Sequence, residues 1–186
     1  MTLRHAAVIL AVLATACGTK DPVTYSAPVG ISLDVKSADV AGGAIRVDKN
    51  VTTETGNPYG AFVNDAVKAL GGSPSRIGVS SATLALEPSS TGVTTLQQVF
   101  TGTTRLSFEP NGTSTLYPAA SVALPTGAGP VPMQVSFDST SMTPADYDAL
   151  VGANFQVVLT GTPAAGFGSA TATARLQAVL TFVAYP

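Results

Sequence analysis

Alternation of apolar with polar or small residues is the feature that most constrains the fold of this chain. Successive side chains of a strand point to opposite faces of its sheet, so this period is typical of strands with one buried face. Val29, Ile31, Leu33 and Val35 form one such row. Further rows lie at 45–47, 82–86, 106–108, 116–124 and 131–137, with Pro118 interrupting the fourth. Proline cannot donate to a sheet ladder, so we expect that strand to be broken or at an edge.

The C-terminal segment predicts a β-hairpin. Phe155, Val157 and Leu159 alternate with other residues, glycines and a proline fill 162–170, and the alternation resumes at Ala174. No charged residue follows Arg175. A strand that is apolar on both faces is expected to be central and covered on both sides, and the alternative is a partner-binding surface.

Two helices interrupt the strands. Asn57 and Pro58 have the residue types of an N-cap and a first helical position, and apolar residues then recur at helical spacing up to Gly71. A shorter helix is expected to begin at Thr143, with Asp146 as its capping partner, and to end at Gly152. A further helical turn is expected near Leu96.

The composition agrees with a strand-rich domain. Charged residues make up 11% of the 186 residues, below the roughly 25% that is usual for soluble domains. We therefore predict a mainly β fold, an antiparallel β-sandwich of the Ig-like or jelly-roll type, with about eight strands and one or two short helices. This single domain is expected to cover residues 29–186.

The N-terminus has the organisation of an export signal. Arg4 and His5 precede an apolar run over residues 6–16, which is shorter than the ~20 residues that a membrane-spanning helix needs. The run ends in the sequence Leu13-Ala14-Thr15-Ala16-Cys17. This sequence resembles the lipobox of bacterial lipoprotein precursors, in which small residues precede an obligatory cysteine.

The resemblance implies that Cys17 is the lipid attachment site. Residues 1–16 would be the signal peptide, the thiol of the cysteine would carry a diacylglyceryl group, and its new amine would carry an acyl chain such as palmitate. Two or more acyl chains hold a protein stably on a membrane. Residues 17–28 would then be the lipidated N-terminus and a flexible tether, and Gly18 favours the outer membrane over the inner one. The alternative is a general secretory signal with an Ala-Thr-Ala cleavage site.

Few residues suggest catalysis. His5 is the sole histidine and lies in the leader, so a mature chain would lack the commonest general base and transition-metal ligand. Motifs for nucleophilic serines and for phosphate-binding loops are absent. With a net charge of −2 and no basic cluster, we expect no nucleic-acid partner. No metal site or cofactor is predicted, although oxygen ligands in loops would suit calcium best.

The carboxylates offer the remaining route to an enzyme. Most fall on outward strand positions or turns, namely Asp34, Asp39, Asp48, Glu87, Glu109 and Asp138, while Asp146 and Asp148 share the second helix. A glycosidase-like pair would need two of them within about 5–10 Å. Our main hypothesis is a non-catalytic envelope lipoprotein that contacts the membrane through its anchor. Its sandwich would contact an envelope protein or glycan or take part in the assembly of a surface structure. The alternatives are a carboxylate-dependent hydrolase and a filament or coat subunit that pairs through an edge strand.

Overall fold

The computed structural model describes residues 23–52 and 56–186. Within these residues the chain forms nine strands and two α-helices, and short 3-10 turns lie between them. The strands are β1 (Tyr25–Lys36), β2 (Val40–Ala41), β3 (Ala44–Val51), β4 (Arg76–Leu86), β5 (Phe100–Pro110), β6 (Tyr117–Ala123), β7 (Val131–Val135), β8 (Phe155–Pro163) and β9 (Thr173–Tyr185). The helices are α1 (Pro58–Leu70) and α2 (Pro144–Val151).

The described strands form one antiparallel sheet that curls into a two-layered, sandwich-like body. Their order is β1-β9-β4-β7-β6-β5-β8-β3-β2. The first four strands make one layer and the other five make the second. The layers are joined where β7 pairs with β6 over two residue pairs, Ala120 with Val135 and Ser121 with Gln134. The predicted mainly β fold class is confirmed.

The core lies between the layers and follows the period of two. On β9, alternate residues from Ala174 to Ala184 are fully buried. The residues between them are half-buried or exposed. β9 is central, as predicted, since it pairs with both β1 and β4. Its second face is not covered, so the prediction of cover on both sides is wrong.

The predicted C-terminal hairpin is also wrong. β8 pairs with β3 and β5 in one layer, whereas β9 pairs with β1 and β4 in the other. The connecting segment crosses from layer to layer, and Phe167 in its middle is buried in the core. Alternation reveals which face of a strand is buried, but it does not reveal which strand lies beside it.

The domain begins before the predicted boundary at Val29. β1 starts at Tyr25, and its first four residues pair with Thr181–Ala184 of β9. The ring of Tyr25 lies 5.8 Å from that of Phe62 on α1. Residues 25–28 are therefore part of the sheet and not of a tether. Pro28 is tolerated because β1 ends the sheet order and pairs with a single strand, β9, among the described residues.

β6 and β7 depart from the predicted pattern. β6 lies between β5 and β7, so it is not at an edge, and its register with β5 shifts beside Pro118. The shift places one extra residue in β6, as in a β-bulge, so the pairing of β6 with β5 is locally interrupted, as predicted. The expected core residues Leu116, Leu124 and Val135 are exposed. Irregular backbone at both ends of these short strands displaces them from the buried face.

Both helices begin and end as predicted. The Asn57 side chain accepts a hydrogen bond from the Tyr59 amide at 2.9 Å, and Gly71 ends α1 with φ +74°. The Thr143 hydroxyl accepts one from the Asp146 amide, and α2 stops at Gly152. The turn predicted near Leu96 is present at Leu96–Gln98.

Candidate functional site

The body has two ends of different construction. The N-terminal end is where β1 begins, and it carries α1, α2 and Phe155 at the start of β8. The distal end is where β1 stops, and it consists of residues 37–43, 87–99, 124–130 and 164–172. The Ser37 amide donates to the Ala172 carbonyl there, at 3.1 Å. With about 3.3 Å per residue, β1 separates the two ends by roughly 36 Å.

The distal end contains an apolar cleft of about 470 Å³. We call it the distal cleft. Its lining residues include the exposed polar residues Thr101 and Thr126 and the following others: Gln97, Phe100, Leu124, Pro125, Ala164 and Ala165. A second depression shares Gln97, Ala164 and Ala165 and continues toward Phe167. Together they form a continuous, uncharged concave surface of the kind that receives apolar groups.

Hydrogen bonds donated by backbone amides hold the wall of the distal cleft. The Gly127 amide donates to Oε1 of Gln97 at 2.6 Å, and the Leu96 amide donates to the Gly127 carbonyl at 2.7 Å. The Leu124 amide donates to the Gly102 carbonyl at 2.7 Å. The segment 124–130 is therefore fixed at several points against the sheet, and the cleft is preformed.

Leu124 is the most unusual residue of this wall. Its side chain is 64% exposed, although leucine is strongly apolar. Its φ is +48°, in the left-handed region that disfavours residues with a Cβ atom. Backbone strain of this kind costs of order 1–3 kcal/mol and concentrates at functional sites. Neither the exposure nor the strain of Leu124 contributes to folding stability.

A second cleft of about 520 Å³ lies where β1, at one end of the sheet order, approaches β3, which lies beside the short terminal strand β2. Its lining includes Val29–Ser32 of β1 and Lys49–Thr52 of β3. Lys49 occupies a position that alternates with the buried Ile45 and Val51, so it faces inward, yet it is exposed. Among the described residues, positions 46–51 of β3 pair with β8 alone, and a charge that faces inward on such an open edge hinders the addition of another strand. This arrangement gives no support to edge pairing through β3.

Asp146 forms a buried polar cluster at the N-terminal end. It is 7% exposed, and its Oδ2 accepts hydrogen bonds from the Tyr117 hydroxyl at 2.6 Å and from the Thr143 hydroxyl at 2.8 Å. The hydrogen bond to Asp146, followed by burial, raises the pKa of Tyr117. The predicted capping role of Asp146 is confirmed. The contact with Tyr117, which joins α2 to β6, has no signal in the local sequence.

Tyr59 carries a buried hydroxyl group that finds no hydrogen-bond partner among the described residues. Its ring packs edge-on against Phe155 and Phe182, with centroids 5.0 Å away in both cases. Burial, and then the charge of nearby Tyr147, raises the pKa of Tyr59 well above 10.0. The hydroxyl is thus a neutral group in an aromatic cluster, and Tyr59 acts as a core residue.

The remaining carboxylates lie in surface pairs, turns and open strand faces. Glu109 of β5 reaches across β8 to Arg46 of β3, with 2.6 Å between Oε2 and Nη2. Glu109 pairs with Gln156 of β8, and Arg46 pairs with Thr160. The ion pair therefore lies over Val158, which points to the outer face of the sheet and is fully buried there. Glu109 is therefore a structural partner that covers apolar surface.

Asp34 and Glu87 are brought into one row by the topology. Asp34 of β1 pairs with Arg175 of β9 on one side, and Glu87, just after β4, bonds to Arg175 on the other side. At the usual spacing between strands, the two acidic residues are roughly 10 Å apart. Neither of them lines the distal cleft or the cleft beside Lys49. The Asp39 carboxylate caps the turn after β1 by accepting from the Lys36 amide, and Asp138 lies 3.6 Å from Arg76. The pair that a glycosidase mechanism needs is not assembled in either cleft.

Cys17, the expected lipid attachment site, lies outside the described residues. Over residues 23–52 and 56–186, no helix is long and apolar enough to cross a bilayer. The same residues contain no group of three or more histidine, cysteine or carboxylate side chains that could hold a metal ion. No protein-family model matches the chain, and no curated protein sequence does so either.

Proposed function

We propose that this protein is a non-catalytic bacterial envelope lipoprotein, anchored through Cys17, that presents the distal end of its sandwich to an envelope partner. The observation that carries the proposal is the position of the distal cleft, at the opposite end of the body from the start of β1. About eight residues separate Cys17 from Tyr25, so the N-terminal end of the sandwich lies within roughly 28 Å of the anchor. The distal cleft then faces away from the membrane.

The charge of the distal end supports a contact based on shape. Its four segments contain two charged residues, Asp39 and Glu87, and no basic residue. Asp39 is already engaged by the Lys36 amide. Such a surface provides little long-range electrostatic attraction, so recognition depends on apolar complementarity. Outer-membrane sorting through Gly18 belongs to the same proposal.

Mass spectrometry of the mature N-terminus tests the anchor. We expect the native chain to begin at Cys17 with a diacylglyceryl thioether and an acylated amine. A Cys17→Ser variant should remain an unprocessed precursor without lipid, whereas a Thr19→Ser control should be processed normally. A native chain that begins upstream of Cys17, or that carries a free thiol in the soluble fraction, would contradict the proposal.

Fluorescence quenching by spin-labelled lipids tests the orientation. The lipidated Cys17 leaves no free thiol, so a single introduced cysteine can be labelled selectively. Ser73, which follows α1, and Ser89, in the distal end, are both exposed and provide a matched pair. In reconstituted vesicles we expect strong quenching of a dye at Ser73→Cys and weak quenching at Ser89→Cys. Equal quenching at both positions would show that the body lies flat on the bilayer.

A further inference from the structure

The turn between β5 and β6 exposes an asparagine that is followed by a glycine. Asn111 and Gly112 come directly after β5, and both are exposed. A hydrogen bond from the Thr113 amide to the Pro110 carbonyl, at 3.2 Å, closes the turn. Gly112 has φ +84°, and no atom lies within 4 Å of a Cβ built on it. The Gly112 nitrogen is therefore flanked by no side chain of its own and by open space.

The backbone amides of this turn differ in their hydrogen bonds. The Asn111 amide donates to the Asn154 carbonyl at 3.1 Å, and the Thr113 amide donates to Pro110. The Gly112 amide between them donates to none of the described residues. The Asn111 side chain makes one contact, from Nδ2 to Oδ1 of Asn154 at 2.7 Å, and both residues are exposed. Water therefore competes for the side chain and reaches the Gly112 nitrogen.

This arrangement suits a reaction to which asparagine is prone. Asparagine is thermolabile because the next backbone nitrogen can attack its Cγ carbon. Here the Gly112 nitrogen would form a bond to Cγ of Asn111, and the side-chain nitrogen would leave as ammonia together with the amide proton. One water molecule then opens the cyclic imide. The net reaction exchanges ammonia for water and changes no oxidation state.

The chain has four other asparagines, at positions 50, 57, 64 and 154. The first and the last precede bulky strand residues, Val51 and Phe155, which are 4% and 1% exposed. The second precedes Pro58, whose nitrogen has no proton to lose. The third lies within α1, where the following amide is bonded to the carbonyl four residues earlier. Of the five asparagines, Asn111 alone is followed by a glycine.

We propose that Asn111 is a site of spontaneous deamidation through a cyclic imide with the Gly112 nitrogen. Water attacks the main-chain carbonyl of the imide preferentially, since the neighbouring Cα carries an electron-withdrawing nitrogen. The main product is therefore isoaspartate, whose main chain is one methylene longer. Its carboxylate cannot donate to Asn154, and the longer chain displaces the amide that bonds to the Asn154 carbonyl. The reaction needs neither the anchor nor the distal cleft, so it goes beyond the proposed function and is independent of it.

Peptide mapping by mass spectrometry tests the site. The purified full chain is kept folded for several weeks at physiological temperature and pH, in water enriched in the heavy isotope of oxygen. We expect the peptide with Asn111 to lose ammonia and gain one heavy oxygen atom, while the peptides with the other asparagines stay unchanged. Fragmentation by electron transfer should identify isoaspartate as the main product. An unmodified Asn111, or equal modification of another asparagine, would overturn the proposal.

Matched variants test the route through the imide. Gly112→Ala places a methyl group beside the attacking nitrogen and should slow the reaction severalfold. Asn111→Gln, which would need a larger ring, should stay unmodified, whereas Asn50→Gln should leave the rate at Asn111 unchanged. In the parent chain the rate should rise from pH 7 to pH 9, because the attacking amide must lose its proton. An unchanged rate in Gly112→Ala, or a rate that falls with pH, would overturn the mechanism.

Hydrogen exchange tests the effect on the turn. Asn111→Asp introduces the same charge but keeps the length of the main chain, so the amide of residue 111 should keep its protection against exchange. The isoaspartyl form, separated from the parent by chromatography, should lose that protection. Retained protection in the isoaspartyl form would show that the contact with Asn154 survives and would overturn this part of the proposal. None of these peptides or amides includes Cys17, so the outcome does not depend on the anchor.

Discussion

The N-terminal end and the distal end of the body are stabilised in different ways. The N-terminal end is stabilised mainly by packed side chains. Its aromatic rings lie with centroids 5.0–5.7 Å apart, and they belong to Tyr59, Phe62, Phe155 and Phe182. At the distal end, backbone amides and carbonyls join one loop to the next. An end built from fixed loops can expose apolar groups without losing its shape.

The two ends also differ in how their polar groups are satisfied. At the N-terminal end, the buried Asp146 carboxylate accepts hydrogen bonds from two hydroxyl groups. In the distal end, amide-to-carbonyl bonds dominate, and side chains such as Gln97 serve to fix the backbone. Side-chain substitutions should therefore be most damaging at the N-terminal end, and backbone-directed substitutions at the distal end. The predictions below test this difference.

The largest loss of folding stability is expected for Phe182→Ala. Phe182 is fully buried and packs against Tyr59, Phe62 and Phe108. Removing its ring should lower the free energy of unfolding by about 3–5 kcal/mol, through lost burial and a residual cavity. Urea unfolding followed by circular dichroism measures the change. The control is Val183→Ala, on the half-exposed face of β9, which should lower the free energy of unfolding by less than about 1 kcal/mol. Equal losses in the two variants would contradict the burial of Phe182 in the aromatic cluster.

The next largest effect is expected for Asp146→Ala. The substitution leaves the buried Tyr117 hydroxyl and the Thr143 hydroxyl without their shared acceptor, whereas the amide of residue 146 can still donate to Thr143 Oγ1. We expect a loss of about 3 kcal/mol in the free energy of unfolding. Asp148→Ala, on the exposed side of the same helix, is the control and should change stability by less than about 0.5 kcal/mol. A similar cost for both variants would argue against a special role for the buried cluster.

At the distal end, Gly129→Ala tests the backbone. Gly129 has φ +84°, and a Cβ atom there would lie 2.6 Å from the Leu84 carbonyl oxygen. Gly127 also has a positive φ, but its nearest neighbouring atom would be 4.0 Å from a Cβ. We expect Gly129→Ala to cost about 2 kcal/mol and Gly127→Ala about 1 kcal/mol in thermal or urea unfolding. Equal costs would mean that the close approach to β4 does not constrain the loop.

The smallest effect is expected for Tyr59→Phe. Since the hydroxyl has no partner within the described residues, its removal at pH 7 should leave stability unchanged or raise it by up to about 1 kcal/mol. Tyr147→Phe is the control, because that hydroxyl donates to the Pro74 carbonyl at 2.6 Å. The control should lose about 1 kcal/mol. A clear loss in Tyr59→Phe would reveal a hydrogen bond that this structure does not contain.

The same pair of variants predicts a pH dependence. Burial raises the pKa of Tyr59 and of Tyr147 above the ordinary 10.0. Above pH 10 these tyrosines ionise in the unfolded chain while they stay protonated in the folded one, so stability falls as pH rises. We expect urea unfolding of Tyr59→Phe and Tyr147→Phe between pH 8 and pH 11 to show a shallower fall than the parent chain. A steeper fall in either variant would contradict the direction of the shifts.

The helices were the most predictable elements because their signals are local. Asn57 and Gly71 bound α1, and Thr143 and Gly152 bound α2, through contacts made within a few residues. The buried face of the long strands was also predictable, since alternation over β1 or β9 follows burial, but the exposure of the second face of β9 was not. β6 and β7 were not, because a register shift beside Pro118 and exposed ends break the alternation.

The candidate site was largely beyond prediction. Residues of the distal cleft come from three separate segments, around Phe100, Leu124 and Ala164, and each of these looks like an ordinary apolar residue in the sequence. The one available signal was the density of glycine and proline at 124–130, which indicates a turn but not its exposure. Likewise, Tyr117 and Asp146 are 29 positions apart and meet through folding.

The amino-acid sequence determined by itself the mainly β class, the helix limits and the buried face of most strands. These properties depend on the period of apolar residues and on capping groups, which act over one or two turns of chain. The tertiary structure alone decided that β8 and β9 lie in different layers, that residues 25–28 join the sheet, and that Leu124 stays exposed beside a cleft. Strand pairing is a choice among many partners with similar patterns, and it is settled by the packing of the whole core.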